Sequence, residues 1–270
     1  MARQVALART GNGDEAAGSQ SIAAVERALD VLLLFGRSRS ANLGVTEIAA
    51  ELDIPKAAVH RILTSLRTRD LIAFEPTSRR YLLGPAAVAL GRAYLAKLDI
   101  RSLAAEEMAW LSAETAETAT LSIRNGDVRL YVDQVLPNRE VRMEVTIGNY
   151  HPLHAGASSK AFLAFDEDPD AYVQRHELDR LTDNTITDVA KLMRELATVR
   201  KRGYASSAGE RQIGAASVAA PVFDHTGVVV AVISVSGPAE RMQGPLASYT
   251  QALLAATGRL SARMGYLADA

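Results

Sequence analysis

Residues 43–83 carry apolar side chains at two successive helical spacings separated by a tight turn. Ile48, Ala49 and Leu52 share one helical face, and Val59, Ile62, Leu63 and Leu66 share another. Thr46 is placed to cap the first helix, Pro55 suits the first turn of the second, and Asp53-Ile54 leaves room only for a turn. Leu71, Ile72 and Phe74, then Arg79-Arg80-Tyr81-Leu82, read as two strands joined by Pro76-Thr77-Ser78. The pattern predicts a winged helix-turn-helix. An earlier helix opens at Ser21 and runs through Ile22, Val25, Leu29, Leu32 and Leu33, and the alanine- and leucine-rich stretch 86–98 predicts a joining helix and part of a dimer seam.

From Asp99 the pattern becomes α+β. A helix runs through Leu103, Met108, Trp110 and Leu111, and strands at 119–124 and 128–135 flank Asn125-Gly126, a strong hairpin signal. A further strand is expected at 141–147, then helices at 158–165, 168–176 and 188–202. Strands at 216–223 and 228–236 pair across the turn at 224–227, and a helix at 246–267 closes the chain. The expected fold is thus α+β. It comprises a disordered tail (1–20), a winged helix-turn-helix (21–84), a linker helix (85–98) and an antiparallel sheet domain with helices (99–270).

Charge sharpens the first of these regions. The whole chain is near neutral, at −1, yet residues 55–81 set Lys56, Arg61, Arg67, Arg69, Arg79 and Arg80 against only Asp70 and Glu75, a local +4. Concentrated positive charge on such a motif is the footprint of phosphate binding. Thr46, Lys56, Ala57, Ala58, His60 and Arg61 on the helices, with Arg79 and Arg80 on the wing, are the candidate contacts to double-stranded DNA. The bland alternative is a solvated face used for protein contacts. Absence of cysteine removes disulfides, thiolate nucleophiles and zinc–thiolate sites. Apolar runs are too short to span a bilayer, and residues 1–20 lack the order of a signal peptide, so no membrane partner and a cytoplasmic location are expected.

Six segments together resemble the IclR family of bacterial transcriptional regulators: VERALDVL, IPKAAVHRIL, RRYLLGP, PLHAGASSKAFLAF, RKRGYASSAGE and AASVAAPVFDHTGVVVAVISVSGP. The resemblance implies a GAF-like or profilin-like second domain that binds a small effector, and a homodimer or dimer of dimers acting on palindromic DNA, more often as a repressor. Carried over position by position, it assigns Gly156, Ala157, Ser207, Ser217, Ser234 and Ser236 to the effector site. Backbone N–H groups at a helix start near Ser158 suit a carboxylate, so an organic acid is expected. Ser234 and Ser236 alternate on one strand and share a face. Leu121, Leu136, Met143 and Val145 are candidates for an apolar wall. The chain departs from the family pattern at Ser207, where relatives often carry aspartate, at Ser217, where many carry cysteine, and at Ser159, usually glycine. Each hydroxyl, taken singly, reads equally as one satisfied by its own sheet.

Other chemistry is thinly supported. His151 and His154 form an HxxH pair with neither cysteine nor a helical His-Glu pattern, and read as loop-structural rather than metal-binding. Ser158 with Lys160 lacks a nucleophile elbow or a third orienting group, and Lys160 reads as part of the effector loop or as solvated. Asp133 and Glu144 are isolated carboxylates. No metal, cofactor or catalytic residue is expected. A tethered small-molecule hydrolase or isomerase, and an architectural DNA-binding protein without sensing, remain the rival classes.

Overall fold

Helix α1 (Ala23–Arg37) turns Val31 and Phe35 inward against α2 (Val45–Glu51) and α3 (Lys56–Arg67), where Ile48, Val59 and Leu63 are fully buried. Burying each such aliphatic side chain stabilises the unit by about 1.5–3 kcal/mol. Strands β1 (Ile72–Glu75) and β2 (Arg80–Leu83) pair antiparallel, Glu75 opposite Arg80, and close this core with Ile72 and Tyr81. Leu43 adds a bridge to Tyr81. The N-cap of α2 is Gly44 rather than Thr46: Glu47 reaches back to accept from the Gly44 N–H at 2.9 Å, which places Thr46 inside the first turn. Pro55 likewise precedes α3 as its N-cap. Gly84 is required where the wing ends, because a Cβ there would sit 2.2 Å from the Asp70 carbonyl oxygen. Helix α4 (Pro85–Leu95) follows.

The chain divides into two compact units, Met1–Ala96 and Lys97–Ala270. The computed structural model describes residues 23–38, 40–95 and 99–267; the tail at 1–20, the Ser21 helix start and the end of the joining helix at 96–98 lie outside the described residues.

Unit two is one antiparallel sheet between two helical layers. Its strands are β3 (Thr118–Asn125), β4 (Val128–Val135), β5 (Tyr150–Pro152), β6 (Ala205–Ala208), β7 (Ala215–Phe223) and β8 (Val229–Pro238), in the order β5-β4-β3-β8-β7-β6. Alternation along β7 and β8 decides the layers. Val218, Ala220, Val222, Ala231, Ile233 and Val235 pack on α5 (Ile100–Thr115) and α10 (Leu246–Arg263). Ala219 and Val232, from the other face, pack beneath α6 (Ala157–Ala164) and α8 (Val189–Arg202), with Tyr172 of α7 (Pro169–Arg175). A short α9 (Ala239–Gln243) leads into α10.

Two of the expected elements need correction. Residues 141–147 form no strand: both backbone partners of Val145 are taken by the Gln134 side chain at 2.9 Å, and the segment runs as a strap in which Met143 and Val145 face inward while Val141 and Ile147 are exposed. Strand β5 pairs with the start of β4 instead. The closing helix stops at Arg263 rather than Leu267. Strand β6, with no β-branched or aromatic residue, is held by its ladder to β7.

Candidate functional site

In unit one, α3 exposes Lys56, Ala57, His60 and Arg61, while Ala58 is half turned into the core. Thr46 is exposed on α2 and Arg79 at the wing turn, where its φ of 57° lies in the left-handed region. Between α2, α3 and the wing lies a cleft of about 580 Å³ lined by Thr46, Glu47, His60, Ser78, Arg79 and Arg80. Arg80 differs from the other candidates. Its Nε donates to Asn42 Oδ1 at 2.7 Å, and its Nη2 donates to the Asn42 carbonyl at 3.0 Å and to Glu47 at 2.5 Å.

In unit two the face of the sheet beneath α6 changes character where the helix ends. Register pairs Thr120 with Ser234, Thr118 with Ser236 and Ser207 with Ser217, so these hydroxyls share one face. The four serines of this set border a small cavity of about 40 Å³, with Gly156, Ala157 and Ser158 at the start of α6 and Met143 and Val145 on the strap. Gly156, Ala157, Ser207, Ser217, Ser234 and Ser236 thus all line one space. Ser234 Oγ shares a 2.7 Å hydrogen bond with Thr120, whereas Ser236 Oγ is shut off from solvent with no hydrogen-bond partner among the described residues. Of the four apolar candidates, only Met143 and Val145 line the cavity. Leu121 belongs to the core on the opposite face, as strand alternation requires, and Leu136 is absent from the lining.

Sequence reasoning missed the dominant charge. Arg129 lines this cavity at 1% exposure, and its guanidinium donates only to neutral groups: Nε to Ser159 Oγ at 2.7 Å, Nη1 to Ser122 Oγ at 3.2 Å and Nη2 to the Tyr131 hydroxyl at 3.2 Å. It also lies 4.4 Å above the Tyr131 ring. Among the described residues it has no carboxylate partner, and the same holds for Arg211, whose Nη1 meets the His151 ring at 3.3 Å. Burial lowers the Arg129 pKa from its ordinary value, with Arg211 adding to the effect. His151 is pushed down to about 4 by burial and by Arg129 and Arg211. The one carboxylate lining this cavity, Glu210, is not paired with either guanidinium among the described residues, so the positive charge of Arg129 and Arg211 is not directly balanced.

Nearby acidic groups are already engaged. Glu210 accepts from Gly156 N–H at 3.0 Å and from Lys160 Nζ at 2.5 Å, and Lys160 also meets Glu195 at 3.3 Å. Lys160 is therefore buried at 1% exposure rather than solvated, and it neutralises Glu210, which in turn holds the loop at Gly156. His154 is fully buried, with Nε2 placed 3.0 Å from the Asp179 carbonyl oxygen. Among the described residues no three His, Asp or Glu side chains cluster as metal ligands, and no helix is long and apolar enough to cross a membrane.

Two family models match in the order the fold requires: "IclR helix-turn-helix domain" over residues 24–76 and "Bacterial transcriptional regulator IclR C-terminal" over residues 92–262. The chain is 36% identical over 255 residues to the HTH-type transcriptional regulator BhcR of Paracoccus denitrificans, covering 93% of this chain and 91% of that protein. It is also 36% identical to the glycerol operon regulatory protein of Streptomyces griseus, covering 83% and 88% respectively. In structure it resembles an IclR transcriptional regulator from a Silicibacter species, with TM-score 0.83, 28% identity and coverage of 91% and 97%. Pseudomonas aeruginosa HmgR superposes with TM-score 0.79, 28% identity and coverage of 91% and 99%. BhcR is named as a transcriptional regulator and the Streptomyces protein as an operon regulatory protein, not as enzymes, and the two family models match regulators, which sets aside the hydrolase and isomerase reading. The chain belongs to the IclR family of bacterial transcriptional regulators and is a DNA-binding regulator.

Proposed function

We propose that this regulator senses a small carboxylate through the cavity in unit two and that occupancy changes its affinity for operator DNA, with repression as the ligand-free activity. The observation that carries the reading is Arg129, a fully buried guanidinium lining the cavity with no paired carboxylate among the described residues. A carboxylate there accepts from Arg129 and Arg211, from the N–H groups that open α6 and from Ser236, whose hydroxyl otherwise lacks a partner. Cavity size favours a short acid: about 40 Å³ is well below the roughly 300 Å³ at which ordinary drug-sized pockets begin.

On the DNA side, Thr46, Lys56, Ala57, His60, Arg61 and Arg79 form the contact face, with Ala58 allowing close approach. Helix α1 leaves Val25, Leu29 and Leu33 about half exposed at successive four-residue steps, an apolar stripe suited to a second copy of the chain. A dimer so formed, alone or paired with another, binds the two halves of a palindrome, consistent with a cytoplasmic regulator. A thermal-shift screen of short carboxylic acids against their neutral amides tests the sensing claim. Stabilisation by at least one acid and by none of the amides is expected; stabilisation by amides alone contradicts it.

A further inference from the structure

We infer that Arg80 is a positioning residue that fixes the wing against α2, not a phosphate contact. The inference rests on the DNA-binding role and concerns how unit one meets the duplex. Position alone would place Arg80 beside Arg79 as a second wing-tip cation. Its donors are instead turned inward: Nε to Asn42 Oδ1 at 2.7 Å, and Nη2 to the Asn42 carbonyl at 3.0 Å and to Glu47 at 2.5 Å. Both acceptors are themselves tied into the motif. Glu47 accepts from Gly44 N–H, capping α2, and Asn42 donates to Glu75 at 3.3 Å, the residue opposite Arg80 in the wing ladder. Leu43, between them, bridges to Tyr81. The guanidinium thus joins three elements: the segment before α2, α2 itself and the returning wing strand.

The pairing has an electrostatic consequence. Glu47 lines the cleft that also holds Thr46, His60, Ser78 and Arg79. An unpaired carboxylate there would oppose any phosphate entering the cleft, and Arg80 offsets it at contact distance. Hydrogen bonds from Gly44 N–H and Arg80 hold the Glu47 carboxyl below its ordinary value, so it remains ionised and needs this counter-charge. Arg79 has no such internal acceptor among the described contacts and extends from a left-handed turn.

Salt dependence separates a brace from a contact. Each phosphate neutralised contributes about 0.9 to the slope of log affinity against log salt. The probe is a duplex selected by the wild-type protein from a random pool, with a random-sequence duplex for comparison. The charge-neutral variant Arg80→Met/Glu47→Gln is expected to lose on the order of tenfold affinity for the selected duplex, less for the random one, with the slope unchanged. Arg79→Met is expected to lower the slope by about 0.9. Asn42→Ala, which removes an acceptor and no charge, should repeat the double variant's signature in smaller measure, which covers the case in which that variant folds poorly. A slope lowered by about 0.9 in Arg80→Met/Glu47→Gln, or an affinity unchanged by it, overturns the inference. Equal losses on both duplexes do so too, because they report general loss of folded protein.

Discussion

Replacing Arg129 with Met should separate ligand sensing from folding. The substitution keeps side-chain length and removes the charge, three hydrogen bonds to neutral hydroxyls and the stack on Tyr131. In the ligand-free protein these losses oppose the relief of burying an uncompensated cation, so the melting temperature serves as a check that the unit still folds. With ligand the outcome is one-sided. Removing one partner of a buried charge-assisted contact costs about 2–5 kcal/mol of binding, at least about thirtyfold in Kd. At a ligand concentration of about 100 times the wild-type Kd, mass action stabilises the native state by roughly 2.7 kcal/mol. A thirtyfold weaker site leaves about 0.9 kcal/mol at that concentration. For a unit this size, about 2–4 °C per kcal/mol converts these to a shift of about 5–11 °C in wild type and under about 4 °C in the variant. Differential scanning fluorimetry with the stabilising acid reads both. A variant that keeps the full acid-induced shift would show that Arg129 is not the anion's partner.

Four further outcomes follow from the geometry. His151 is neutral in the folded protein down to about pH 4, whereas the unfolded chain takes up a proton below about 6.5. Between these values the unfolded state binds more protons, so ligand-free stability falls as pH drops; His151→Asn should flatten that part of a melting-temperature profile between pH 7 and 4.5. An anion seated between Arg129 and Arg211 raises the His151 pKa, so acid binding should take up protons and tighten as pH falls from 7 to 5, measurable by calorimetry in buffers of different ionisation enthalpy. Leu29→Glu/Leu33→Glu on α1 should shift the sedimentation coefficient toward monomer and weaken operator binding; an unchanged oligomer would move the dimer seam elsewhere. Gly84→Ala forces a Cβ onto the Asp70 carbonyl and should cost more than about 2 kcal/mol in denaturant unfolding of unit one.

Periodicity and turn chemistry made most of the fold legible. Asn125-Gly126 marked the β3–β4 hairpin, and the apolar positions of α2 and α3 were those that fill the first core. The strap at 141–147 was misread because alternation reports one-sided burial, which Met143 and Val145 satisfy by covering a cavity rather than by joining a ladder. The hydroxyl positions of the site came from the family resemblance. Arg129 did not, although its signal was present: Arg129 and Tyr131 alternate with Leu130 and Val132, which sets a charge on the face shared with Ser122. Ser159, noted as a departure from the family, is the residue that receives the Arg129 Nε–H, so two local peculiarities form one contact. The bonds from Glu210 to Lys160 and Gly156 span about fifty residues, and no local pattern announces them.

The most direct test of sensing is the operator affinity of wild type and Arg129→Met, each with and without the acid that stabilises wild type. The expected result is an affinity change of about 5- to 150-fold in wild type, reciprocated by a matching change in acid affinity when operator is present. At an acid concentration of about three times the wild-type Kd, which fills a site thirtyfold weaker to only about a tenth, operator affinity of Arg129→Met should stay nearly unchanged, with ligand-free binding intact. Equal acid responses in both proteins, or an acid that binds wild type without altering operator affinity, would contradict the assignment of this cavity as the regulatory site.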